Sequence, residues 1–285
     1  MTDFPGKIVV ITGAASGLGR ALAVELAARG AHIAAADLDR QGLAETARRI
    51  QESGGSVATY LLDVADSNAV HAFAQEIEAA HGGADIVINN AGVAQIARVE
   101  DLSYEDLEWV MKVNFWGMVY GTKAFLPQLR ARPSGHIVNI SSIFGLIAVP
   151  HQAAYNAAKF AIRGFTEALR HEMQGSSIKV SCVHPGGIRT NIVRNARFLQ
   201  STQATVREEA ADGFDRIAFT SPEAAARTII RGIARNRARI LVGPDARIID
   251  WIQRLLPVSY GRLLFRGLPR DRLGGEEMLA RLAKK

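Results

Sequence analysis

Thr12-Gly13-Ala14-Ala15-Ser16-Gly17-Leu18-Gly19 closes a short β-branched run, residues 7–12, and leads directly into Arg20-Ala21-Leu22-Ala23, a helix-forming sequence. Glycines let a backbone reverse and approach a phosphate with no Cβ in the way. A helix that starts at once presents free N–H groups and a positive partial charge there. Gly13, Ser16, Gly17, Leu18 and Gly19 are therefore candidates for holding a pyrophosphate. Glycines also serve ordinary turns, so the neighbouring strands and helices decide the case.

A second β-rich run, residues 32–37, ends 24 positions beyond Gly13 at Asp37. A carboxylate there can accept hydrogen bonds from an adenosine ribose and would repel a 2′-phosphate. No Lys or Arg takes the place of Ser16, and the first basic residue after Asp37 is Arg40, behind Asp39. NAD is favoured over NADP as cofactor.

The same alternation continues along the chain. Apolar runs at 57–62, 85–89, 136–141, 178–183 and 239–242 are separated by helical periodicity at 17–29, 65–81, 104–130, 152–174 and 222–235, several with caps such as Asp66-Ser67 and Ser221-Pro222. Seven strands with intervening helices predict an α/β fold with a doubly wound, seven-stranded parallel sheet. Residues 1–243 form the expected single domain. Its polar, Ala-rich stretch 191–220 is read as a substrate lid, and 244–285 as an amphipathic, basic, helical C-terminal extension.

The 285 residues carry 34 Lys+Arg against 28 Asp+Glu, a net charge of +6. Residues 221–285 hold 14 of the basic and 6 of the acidic side chains, leaving 20 against 22 in the rest. The excess belongs to the tail and carries no interleaved stacking aromatics, so no nucleic-acid partner is expected. Cys182 is the single cysteine, which rules out an internal disulfide and a cysteine metal cluster. With no signal-like N-terminus and no long apolar run, a cytoplasmic protein is expected.

Tyr155 and Lys159 lie four apart in Tyr155-Asn156-Ala157-Ala158-Lys159, on one face of a predicted helix. A phenol titrates near pH ~10, too high for efficient acid/base work at neutrality, and a neighbouring cation lowers that value. Such pairs are common on helices, and their surroundings decide the reading.

With the glycine turn, Asn89-Asn90-Ala91-Gly92, Val113-Asn114, Ile140-Ser141-Ser142 and Pro185-Gly186 all in order, residues 5–243 resemble the short-chain dehydrogenase/reductase family of Rossmann-fold oxidoreductases. The resemblance implies that Tyr155 exchanges a proton with the substrate oxygen and that Lys159 holds the ribose and lowers the phenol's pKa. Ser142, thirteen positions before Tyr155, hydrogen-bonds the carbonyl or alkoxide, with Ser141 as its neighbouring alternative, and Asn114 anchors a water. It further implies that Asp63 and Val64 meet the adenine, that Asn90 and Gly92 line the cofactor's centre, and that Pro185, Gly186, Ile188 and Thr190 hold the nicotinamide end. No metal is needed, and His151 and His184, in neither triad nor ligand spacing, are assigned no chemistry.

The apolar run 143–149 after Ser142 favours a small hydrophobic alcohol or ketone as substrate, although it serves equally as packing. Resemblance implies a homo-oligomer, dimer or tetramer, through helices 104–130 and 152–174. The tail, with apolar groups at helical spacing in 247–256 and again in 260–268, is expected to cover the pocket or pack on a subunit; peripheral contact with an anionic membrane is the rival. The competing functions are an NADP-dependent carbonyl reductase and a catalytically idle dinucleotide-binding scaffold.

Overall fold

The computed structural model describes residues 3–198, 207–208, 212–214, 216 and 218–264. Its framework is β1 (Ile8–Thr12), α1 (Gly17–Ala27), β2 (His32–Asp37), α2 (Arg40–Glu52), β3 (Ser56–Leu61), α3 (Ser67–His81) and β4 (Ile86–Asn89). Next come a short β5 (Gln95–Ile96), α4 (Tyr104–Met111), α5 (Gly117–Ala131), β6 (Gly135–Ile140), α6 (Ala153–Glu172) and β7 (Ile178–Pro185). A short β8 (Arg197–Phe198), α7 (Pro222–Ala234), β9 (Arg239–Val242), α8 (Pro244–Leu255) and α9 (Tyr260–Leu264) complete the described chain.

Seven strands form one sheet in the order β3-β2-β1-β4-β6-β7-β9, every pair parallel. Strand residues point alternately to opposite faces, which explains why β1, β2, β4 and β6 read as apolar runs: both of their faces are covered, whereas the edge strand β3 is largely exposed or half-buried. On one side Val9, Ile11, Ile33 and Ala35 pack with Leu22 and Leu26 of α1 and Ile229, Ile230 and Ile233 of α7. On the other, Val10, Ala34, Ala36 and Val87 meet Phe73 and Ile77 of α3, Phe125 and Leu129 of α5 and Leu169 of α6.

The chain winds outward from β1 through β2 to β3, then returns to add β4 on the opposite flank. The carboxyl ends of β1 and β4, at Thr12 and Asn89, therefore flank the crevice where a doubly wound sheet binds ligands.

The expected caps form. Asp66 Oδ1 accepts from Asn68 N and Ala69 N at 2.8 and 3.2 Å, and Ser221 Oγ accepts from Ala224 N at 3.2 Å. The predicted helix over 104–130 runs through without a break, and a π-helical turn, Lys112–Trp116, lies within it between α4 and α5. Within that turn the Asn114 side chain holds both the N–H and the carbonyl of Val93, at 2.7 and 2.9 Å. Periodicity does not register a single π turn.

Two histidines are buried in the sheet. His136 bonds Ser181 Oγ at 2.8 Å, and His184 Nδ1 bonds the Ser142 carbonyl oxygen at 3.1 Å. Burial, assisted by Lys179 for His136 and by Arg239 and Arg163 for His184, pushes each imidazole down to about 4. An unfolded chain takes up these protons first, so stability present above pH ~6.5 is lost as pH falls toward about 4, on the order of 3 kcal/mol per ring. Urea unfolding at pH 7 and pH 4 measures this; an unmoved midpoint would contradict it.

Candidate active site

The glycine turn is shaped by close approach. Gly13 (φ 69°) and Gly17 (φ 51°) are left-handed, and a Cβ on Gly13 would come within 2.8 Å of Ala91 Cα. A Cβ on Gly19 would run into the Gly13 carbonyl, so α1 can start against the turn only with glycine there. Asn90 staples the turn: its Nδ2 donates to the carbonyls of Thr12 and Gly13 at 2.9 and 3.2 Å. Thr12 Oγ1 in return accepts from the N–H groups of Asn90 and Ala91, both at 3.1 Å. Ser16 caps α1 without a side-chain bond, which leaves the first-turn N–H groups facing outward. Leu18 is buried in the core beneath.

Asp37, at the end of β2, accepts from Ala15 N through Oδ2 and from Asp39 N through Oδ1, both at 3.0 Å. One carboxylate thus ties β2 to the glycine turn and keeps acceptor capacity on each oxygen. Asp63 lies on the surface with Oδ1 turned to Ala65 N at 2.8 Å, while Val64 is buried against Gly117. Arg20 reaches back to the Ala15 carbonyl and donates through Nε to Thr46 Oγ1 at 3.0 Å, so it braces the turn from below.

At the far side of the crevice, α6 brings Tyr155 and Lys159 together under Ser142. Tyr155 is 9% exposed with Ser142 beside its hydroxyl, and its ring meets Phe144 edge-on at 6.3 Å. Ser142 Oγ also accepts from Phe144 N at 3.1 Å, whereas Ser141 Oγ donates to the Lys159 carbonyl at 2.8 Å. Of the two serines, only Ser142 faces the phenol. Lys159 Nζ donates to the Ile140 carbonyl at 3.0 Å and lies 5.4 Å from the tyrosine ring centroid. Gly92 packs between Lys159 and Asn114: a Cβ on it would stand 3.6 Å from Nζ and 3.2 Å from Oδ1.

The electrostatics differ from the expected lowering of the phenol. Burial pushes Tyr155 up to about 12, with the Ser142 hydrogen bond pulling down, and burial pushes Lys159 down to about 8. The ammonium faces the ring and a carbonyl rather than the hydroxyl, so desolvation is the larger effect. Asn114 has one hydrogen and one lone pair of its amide left after Val93.

The Pro185–Thr190 stretch closes the crevice from above. The Thr190 methyl approaches Gly17 so nearly that a Cβ there would meet it at 3.1 Å, and Ile188 is buried in the core. The structure thus gathers Gly13, Ser16, Gly17, Gly19, Asp37, Asn90, Gly92, Asn114, Ser142, Tyr155, Lys159 and Thr190 along one edge of the sheet, with Leu18 and Val64 as packing beneath them.

The family model described as short chain dehydrogenase matches residues 7–199. The chain belongs to the short-chain dehydrogenase family. This short-chain dehydrogenase is 49% identical over 271 residues to the Mycobacterium tuberculosis protein designated oxidoreductase SadH, a match covering 94% of this chain and 97% of that one. It is 38% identical over 265 residues to a dehydrogenase/reductase SDR family protein 7-like of Drosophila melanogaster, covering 90% and 79%. Among solved structures it is similar to a Burkholderia phymatum short-chain dehydrogenase/reductase in complex with NAD, with 30% identity, TM-score 0.82, and 94% and 98% of the chains covered.

The short-chain dehydrogenase has three features around its pocket that the sequence motifs do not reveal. Within the stretch 191–220, β8 pairs with β5, and Arg197 stacks on Trp109, 3.6 Å from its ring centroid, while bonding Asp106 at 3.2 Å. Part of the expected lid, residues 199–206, 209–211, 215 and 217, lies outside the described residues. In the tail, Tyr260 Oη accepts from Ala148 N at 2.9 Å and Asp245 Oδ2 accepts from Gly187 N at 2.7 Å. The two-residue β5 leaves no signal in the sequence, and the tail contacts join residues 58 and 112 positions apart and leave no local signal either. Residues 265–285 of the extension lie outside the described residues.

Proposed function

We propose that this oxidoreductase transfers hydride between NAD and a hydrophobic secondary alcohol or ketone, with Tyr155 as the acid/base. The observation that carries the reading is the buried Tyr155, with Ser142 beside its hydroxyl and Lys159 Nζ 5.4 Å from its ring centroid, on the edge of the sheet that also bears the glycine turn. The residues fit a dinucleotide, since Gly13 and Gly19 let the turn and the start of α1 pack backbone against backbone with no room for a Cβ, and Ser16 leaves the first-turn N–H groups of α1 without a side-chain cap. Gly13 to Gly19 would hold the pyrophosphate, Asp37 the adenosine ribose, Asp63 and Val64 the adenine, and Lys159 the second ribose. Such a cofactor supplies the hydride acceptor or donor.

The chain's own residues manage the proton and the charge on oxygen. For a ketone, Ser142 Oγ and Tyr155 Oη hydrogen-bond the carbonyl oxygen, and Tyr155 releases its proton to the forming alkoxide. A phenol pushed up to about 12 is protonated at neutrality and stands ready for this direction. Alcohol oxidation needs the phenolate, so its rate should climb with pH. Lys159, near 8, is still largely an ammonium at pH 7 and favours that phenolate from below the ring.

Ile143, Leu146, Ile147 and Val149 are buried beside Ser142 and give the pocket wall the apolar character that suits a hydrophobic substrate. The tail contributes to that wall through Tyr260. Tyr104, Trp116 and Phe160 are exposed on α4, the π turn and α6, which supports a homo-oligomer through these helices. No described helix is long and apolar enough to cross a membrane.

The test is a panel of hydrophobic secondary alcohols and ketones assayed by NADH absorbance with both cofactors. Turnover at least about tenfold more efficient with NAD than with NADP is expected. Absence of turnover from every member, with dinucleotide still bound, would favour the idle scaffold. In the same assay Tyr260→Phe, which loses the bond to Ala148, should raise KM by about two- to fivefold and leave kcat near its original value; an unchanged KM would remove the tail from the pocket wall.

A further inference from the structure

The loop after β7 is tethered mostly by main chain. Gly186 N donates to the Val242 carbonyl at 2.9 Å, Thr220 N donates to the Gly187 carbonyl at 3.2 Å, and Arg189 N donates to the Thr220 carbonyl at 3.0 Å. The Gly187 N–H is held instead by a side chain, Asp245 Oδ2, at 2.7 Å.

Asp245 reaches it because Gly243 (φ 98°) reverses the chain sharply after β9 and sets Asp245 in the first turn of α8, back under the end of β7. The fit is close on both sides. A Cβ on Gly186 or on Gly243 would collide with the Asp245 carboxylate. Its second oxygen, Oδ1, is buried without a hydrogen-bond partner in the structure.

From this geometry we infer that Asp245 is a positioning residue, whose carboxylate fixes the Pro185–Ile188 backbone so that the loop can receive the nicotinamide end of the cofactor. The inference rests on the dinucleotide reading of the crevice. It also gives the segment after Gly243 a role in cofactor binding that does not depend on the substrate. Gly186 becomes explicable as well: it is small so that a carboxylate can lie beside it. A bond from N–H to a carboxylate is among the stronger hydrogen bonds, and removing the acceptor leaves a partly buried donor unpaired.

The test compares NADH with ADP-ribose, which lacks the nicotinamide, on the full chain. Asp245→Ala is expected to weaken NADH about tenfold and to reduce the emission of bound NADH, with ADP-ribose affinity unchanged within about twofold. Asp245→Asn keeps an oxygen for Gly187 N–H and is expected to recover most of the NADH affinity. Equal loss of both ligands, no loss of either, or an asparagine variant that behaves like alanine would each overturn the role of Asp245. A wild-type protein that binds neither ligand would instead overturn the dinucleotide reading itself.

Discussion

Tyr155→Phe is expected to lower kcat roughly a thousandfold while leaving cofactor affinity within about twofold. The ring is buried and packs edge-on against Phe144, contacts that phenylalanine reproduces. Only the hydroxyl is lost, and Ser142 Oγ keeps its bond from Phe144 N, so the pocket retains one donor for the substrate oxygen and loses the proton source. Tyr155 is a cleaner probe than Lys159. The lysine is 3% exposed and bonded to the Ile140 carbonyl, so its removal would open a cavity and leave an acceptor unpaired. Rates in the reducing direction, with NADH affinity measured separately, decide the matter. Retention of more than about a tenth of kcat would place proton transfer on another group.

Much of the fold is legible in the sequence because its signals are local. The runs at 7–12 and 32–37 match β1 and β2 to within a residue, since a strand covered on both faces must be apolar throughout. The glycine turn declares itself because Gly13 and Gly17 occupy left-handed backbone and Gly19 faces a carbonyl, demands few other residues meet. The π turn at 112–116 is not legible, and neither is the contact made from it, since Asn114 and Val93 are twenty-one positions apart. Nor is β8, two residues long and dependent on β5 and Trp109 for its place.

The same division runs through the candidate site. Tyr155 and Lys159 share a helix face, so their proximity follows from spacing. The sign of the phenol's shift does not, because it depends on burial: the environment that raises Tyr155 to about 12 includes Ser142 and Phe144, from a different part of the chain than α6. Asp245 and Tyr260 sit in an extension whose sequence reads only as amphipathic and basic. Ile248, Trp251 and Leu255 are exposed, while Tyr260 and Asp245 hold the main-chain N–H groups of Ala148 and Gly187. An amphipathic pattern reports which residues share a face and says nothing of what either face touches.

The second large effect is expected at Asp37. Its carboxylate ends β2 within reach of the glycine turn, holding Ala15 N and Asp39 N at 3.0 Å. A 2′-phosphate brought to this place would meet a fixed negative charge. It would also find little cation to offset it, because Arg20 is engaged with the Ala15 carbonyl and Thr46 while Leu38, 64% exposed, offers only hydrocarbon. Asp37→Ala removes the repulsion but also two backbone tethers, so by itself it should cost about tenfold in kcat/KM with NAD and gain little with NADP. Adding Leu38→Arg supplies a guanidinium able to grip phosphate with two parallel hydrogen bonds. In the double variant the ratio of kcat/KM for NADP to that for NAD should rise by on the order of a hundredfold or more. Steady-state rates with both cofactors give the ratio directly, and a thermal melt shows whether the turn survives. If the ratio is unchanged in a variant that still melts near the original temperature, Asp37 does not face the ribose, and cofactor choice is made elsewhere along the crevice.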